Sequence, residues 1–217
     1  LVSQQHTDGK WGDHGRYIAE TAFVLTKLLE RAHELGQDPF DSNSYAYAQN
    51  VIDGLDYIFD NLRERTLNNQ TVGYSGRNDN PDSNGDGVGY YNSTHVNYEH
   101  GAVMMAIGAT HSPTRTVTTG IANGKTYFDV LQNLVDYAAW GQHDGGSKRG
   151  GWGYTDGNNG SSNADNSPAG YLVLGLRYAE APAFGFECTI PAWVKSELKY
   201  WVDYIQTDSN GGSGYNH

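Results

Sequence analysis

The stretch "DGKWGDHGRYIAETA", Asp8 to Ala22, passes from a glycine turn through a tryptophan directly into an amphipathic helix. A looser copy returns as "RGGWGYTDGNNGSSNADNSPAGY", Arg149 to Tyr171. In the first copy Ile18, Ala22, Leu25, Leu29 and Ala32 recur at helical spacing, and Gly36 follows as a C-terminal stop. A junction used twice points to a repeated unit, and repeats decide the fold before any single element does.

Working outward, three segments end alike. "VIDGLDYIFDN", "LQNLVDYAAWGQ" and "ELKYWVDYIQ" each place an apolar residue before Asp-Tyr late in a helical pattern, at Asp56-Tyr57, Asp136-Tyr137 and Asp203-Tyr204. Each is followed by a polar, glycine-rich loop with an aromatic beside glycine: Tyr74 and Tyr90, then Trp152, then Tyr215. Together with Trp11 these aromatics set a period of roughly 60 residues, with one loop enlarged by "GYSGRNDNPDSNGDGV". A second helix begins behind each aromatic. "NYEHGAVMMAIGAT" and "NSPAGYLVLGLRYAE" are apolar all round, as enclosed helices are, whereas Val51, Leu55, Ile58 and Leu62 form a narrower stripe. The reading is an all-α chain of about three outer/inner helix pairs joined by long Gly/Asn-rich loops.

Glu20 follows Trp11 by nine positions and Glu99 follows Tyr90 by the same count. Asp165 in "ADNSPAG" takes a similar place in the third unit. Carboxylates there serve either as helix N-terminal acceptors or as acid/base and ligand groups, since the macrodipole favours negative charge at that end.

These features resemble the prenyltransferase and squalene-cyclase repeat superfamily, whose repeats carry a Gln, a turn, then Gly and Trp. Gln5-His6-Thr7-Asp8-Gly9-Lys10-Trp11-Gly12 matches, Gln142 to Gly153 matches with an insertion, and Gln206 to Tyr215 matches with Tyr in place of Trp. The resemblance implies an α/α toroid over residues 1–217 as one domain. It also implies that Gln5, Gln142, Gln206, Trp11 and Trp152 are staples tying loops to helix ends. A complete toroid has five or six helix pairs, so a partial ring is expected, cut from a longer protein or closed by another chain. The family's chemistry does not carry over: the cyclase D-x-D-D string, the prenyltransferase zinc ligands and the thioester C-G-E-Q string are all absent.

Composition bounds the rest. The 217 residues suffice for one sizeable core. A formal net charge of −11 disfavours nucleic acid and anionic membrane surfaces. Apolar runs are too short to span a bilayer, and the start at Leu1 without a signal-peptide core suggests a mature, trimmed or partial chain. The lone Cys188 reads as a small buried hydrophobe. Abundant Gly, Tyr and Asn, with N-x-[ST] sequons at Asn69, Asn92 and Asn159, suit an extracellular or cell-surface glycoprotein.

Three ligand sites are open at this level. Asp82-x-Asn84-x-Asp86-Gly87 resembles the start of a calcium loop, with Ser93 where the last acid would stand. His95 and Glu99, four apart on one helical face, form with His14 a possible transition-metal set. Trp11, Tyr74, Tyr90, Tyr91, Trp152 and Tyr154 gather beside Glu20, Glu99 and Asp165 as a carbohydrate groove would. Two functions remain in view. One is a non-catalytic surface module that binds a glycan or protein partner or builds an assembly, with calcium stiffening the long loop. The other is a carbohydrate-active hydrolase or lyase, or a divergent terpenoid cyclase, using the helix N-terminal carboxylates.

Overall fold

The computed structural model describes residues 2–72, 77–94, 96–155 and 164–214. Tyr74, His95, Asn159 and Tyr215 therefore lie outside the described residues. The described chain is predominantly helical: α1 (Tyr17–Glu34), α2 (Ala48–Asp60), α3 (Asn97–Gly108), α4 (Tyr127–Gly141), α5 (Asn166–Glu180) and α6 (Ala192–Ile205). Among these residues no helix is long and apolar enough to cross a membrane.

Three helix boundaries have a clear local cause. Gly36, at φ 66°, ends α1: its N–H donates to His33 and that of Gln37 to Ala32, the paired bonds of a Schellman stop. Thr126 starts α4 through a capping box, its hydroxyl accepting from the Asp129 N–H while Asp129 accepts from the Thr126 N–H. Asp165 caps α5 by accepting from the Ser167 N–H at 2.8 Å.

Helix α3 lies between α1 and α5, while α2 packs on α1 and α4 packs on α3 and α5. The expected apolar face of α1, Ile18, Ala22, Leu25, Leu29 and Ala32, is buried. Close approach of α3 and α5 depends on glycine: a Cβ on Gly101 would sit 2.2 Å from the Tyr171 carbonyl oxygen. Cys188 is buried in the same core, as its composition context suggested.

Two departures from the sequence reading concern the enlarged loop. It is not irregular: β1 (Leu62–Thr66) pairs antiparallel with β4 (Val88–Asn92), and β2 (Gln70–Val72) with β3 (Arg77–Asp79). An all-α assignment is thus corrected to a helical fold carrying two small ladders. The loop also covers α4, so α4 is buried on nearly every side, unlike α2 with its narrow buried stripe. Ser83 N–H donates to Asp136, Asn84 and Asp86 both bond Asn133, and Tyr91 stacks on Tyr137 with centroids 4.9 Å apart.

The repeated junction is real at the level of hydrogen bonds. Gln5 Nε2 donates to the carbonyls of Gly9 and Asn50 at 2.8 and 3.0 Å, and Gln142 Nε2 to those of Gly150 and Val194 at 2.9 and 3.0 Å. The glutamines therefore tie each turn to the helix that follows it in the next unit, as the resemblance implied. Gly9 and Gly150 have φ of 88° and 82°, and a Cβ on either would strike the Asp53 or Glu197 carbonyl oxygen at 2.1 or 1.8 Å. In the third turn Gln206 reaches only its own Gly211 carbonyl, at 3.3 Å, and the turn's bonds put Ser213 in the tryptophan position instead of Tyr215. The Asp-Tyr alignment also slips there. Gly89 packs on Tyr137 of α4 but Gly151 packs on Trp201 of α6, one helical turn before Tyr204.

Candidate functional site

The N-terminal ends of α1, α3 and α5 bring several candidates together. A short bridge, Val96 with Thr155, sets α3 beside the chain leaving Trp152; Asn97 donates from its backbone to Tyr154 and from its side chain to Gly153. Glu99 then falls in the first turn of α3 and is 0% exposed. Thr94 donates to its Oε2 at 2.5 Å, whereas Oε1 is buried without a hydrogen-bond partner and faces Arg16 Nη1 at 3.8 Å. Burial pushes its pKa up, partly opposed by Thr94 and Arg16, and the neighbouring Glu20 charge pushes the same way as burial. Glu20, in the first turn of α1, presses its buried Oε2 over Gly12 with no hydrogen-bond partner.

The aromatic candidates divide by burial. Trp11, Tyr90 and Trp152 are 2, 2 and 0% exposed, so they are interior groups and not faces of a groove. The reason is local: the Trp11 ring fills the space over Gly54, and Trp152 Nε1 donates to the Ala138 carbonyl at 2.8 Å. Tyr91 is committed to its stack on Tyr137. Tyr154 does reach solvent, at 47% exposure. It belongs to a row that the sequence reading missed: Tyr154, Tyr98, Tyr171 and Phe23, with successive centroids 6.4, 6.2 and 5.7 Å apart. The row crosses from the loop over α3 to α5 and α1, and the Arg16 guanidinium stands 5.9 Å from the Tyr98 ring. Only the helix order brings Phe23, Tyr98 and Tyr171 together, so no local motif announced them.

The remaining candidates lie apart or are otherwise engaged. Asp165 is occupied as the α5 cap. In the Asp82–Asp86 loop, Asp82 accepts from the Gly85 and Gly87 N–H groups, Asn84 Oδ1 from Asp86 and Asp86 Oδ1 from Val88. Hydrogen bonds thus account for the fold of this loop. His14, with His95 outside the described residues, does not meet Glu99 in a metal set; it lies instead near Asp13 and Glu20. Of the sequons, Asn69 is exposed, but Asn92 is 2% exposed with its amide donating to the Val96 carbonyl, so it offers no acceptor for a glycan.

The N-terminal ends of α1, α3 and α5 therefore join a buried carboxyl group with an oxygen left over, an arginine, and an aromatic row that is half-buried at Tyr98 and Tyr171 and exposed at Tyr154 and Phe23. That combination can orient a polyhydroxylated ligand: rings stack on its apolar faces while carboxyl and guanidinium groups take its hydroxyls. No family model, curated protein or solved structure matches the chain.

Proposed function

We propose that this chain is a partial α/α toroid, an extracellular or cell-surface module that binds a neutral glycan at the N-terminal ends of α1, α3 and α5. The observation that carries the reading is Glu99, wholly buried with Oε1 lacking a hydrogen-bond partner, beside Arg16 at the edge of the Tyr98 row. An unmet buried acceptor is costly, and a ligand hydroxyl that reaches Glu99 once the exposed Arg16 side chain moves aside recovers that cost on binding. The net charge of −11 favours an uncharged sugar over an anionic one. In this reading α1, α3 and α5, which pack on one another through α3, are the inner helices, and α2 on α1 and α4 on α3 and α5 are the outer ones.

The test is a panel of soluble neutral and anionic oligosaccharides, followed by titration calorimetry of the best binder. Tyr98→Ala and Glu99→Gln are expected to weaken a neutral ligand at least tenfold while the circular dichroism spectrum stays unchanged. Retention of no glycan by the wild-type protein, or wild-type affinity in both variants, contradicts the reading.

A further inference from the structure

The loop entering α1 carries a second cluster. Gly12 and Gly15, at φ 110° and 80°, turn the chain so that Asp13 and His14 face back toward Glu20, one turn inside the helix. One ligand atom each from Asp13, His14 and Glu20 lies within 4.8 Å of the others. His14 Nδ1 is 3.7 Å from Glu20 Oε1 and touches Asp13 Oδ1. Glu20 Oε2 is closed to solvent and without a hydrogen-bond partner, and the Glu20 charge acts on the wholly buried Glu99, whose Oε1 likewise has none. Arg16, at 3.8 Å from Glu99, is mostly exposed and leaves Glu20 Oε2 unmet. Carboxyl oxygens gathered in this way repel one another, and a cation beside an imidazole is the group that offsets the repulsion.

We propose that Asp13, His14 and Glu20 form a binding site for a divalent first-row transition cation of zinc's class. The imidazole sets the class: an all-oxygen cage suits calcium or magnesium, whereas one nitrogen with two carboxylates suits zinc or manganese. Three protein ligands leave a coordination position open, and the cluster borders a polar cavity of about 260 Å³ lined by Gln4, His6, Gly12 and Asp13. The proposal shares Glu99 and Arg16 with the glycan reading, but its ligands are other residues and the metal alone probes it, so the two fail separately.

The experiment is calorimetric titration of tag-free, EDTA-stripped protein with Zn²⁺, and with Ca²⁺ for comparison. The expected result is one saturable zinc equivalent, bound at least tenfold more tightly than calcium. His14→Ala and Glu20→Gln should each weaken it thirtyfold or more, and Asp86→Asn, in the distant acidic loop, should leave it unchanged. His14 is exposed, so its variant keeps the fold, and an unchanged melting curve in the stripped state verifies this. Absence of saturable zinc binding, calcium bound as tightly as zinc, or affinity unaltered by either site variant overturns the assignment.

Discussion

The side-chain amide of Gln142 donates to the Val194 carbonyl at 3.0 Å, joining the end of α4 to the first turn of α6 across 52 positions of chain. Gln5 does the same to Asn50 of α2. These two bonds give the repeat its physical content, because each adds a side-chain N–H to a first-turn carbonyl and so clamps the glycine turn to the helix.

Replacing Gln142 with Ala removes donors from two carbonyls, Gly150 and Val194, in a buried setting. The expected loss is about 2–3 kcal/mol, measured by urea denaturation. Gln206→Ala, which removes one long exposed bond, should cost less than about 0.5 kcal/mol. Equal losses at the two positions would contradict the staple role.

Gly150 and Gly15 share a positive φ but not their surroundings. A Cβ at 150 would meet the Glu197 carbonyl oxygen at 1.8 Å, while nothing lies within 4 Å of one at 15. Gly15→Ala should therefore cost only the backbone strain, about 1 kcal/mol, and Gly150→Ala more than about 3 kcal/mol. Thermal midpoints of the two variants give the comparison directly.

Asp136 ties the long loop to α4, and burial pushes its pKa from 3.8 to about 7, against hydrogen bonds from Gln132 and Ser83 that lower it. A folded value above the unfolded one means that the folded protein holds this proton more tightly. The stabilisation is complete below pH 3.8 and disappears as pH rises through 7. Between pH 5 and pH 8 the wild-type protein should lose about 2–3 kcal/mol through this group. Asp144, pushed to about 6 by burial, acts in the same direction. Urea midpoints of Asp136→Asn should fall less over that interval; a slope equal to the wild type's would remove Asp136 from the explanation.

The parts legible in the sequence were those written in local spacing. A glutamine, a positive-φ glycine and a tryptophan within a few residues define the turn at Gln5–Gly12, and its copy at Gln142–Gly153 survived a four-residue insertion because the bonding residues were kept. What depended on distant chain was not legible. Nothing near "LRERT" announces that it pairs with "VGYYN", since the partner lies beyond the enlarged loop. The same aromatics that marked the repeat misled as site residues: Trp11 and Trp152 recur because they fill the core. The half-buried Tyr98 and Tyr171 do not recur, so no repeat marked them. Asp203-Tyr204 matched as a string although Trp201, one turn earlier, fills the packing position.

Hydrogen exchange with the best neutral oligosaccharide bound tests most directly whether the N-terminal ends of α1, α3 and α5 are the ligand site. Added protection is expected at 96–101, at 153–155 and in the first turn of α1, around Arg16, Glu99 and the Tyr98 row. Protection confined to the opposite end, where His33 stacks on His111, or to the apolar groove between α5 and α6, contradicts ligand binding at those three helix ends.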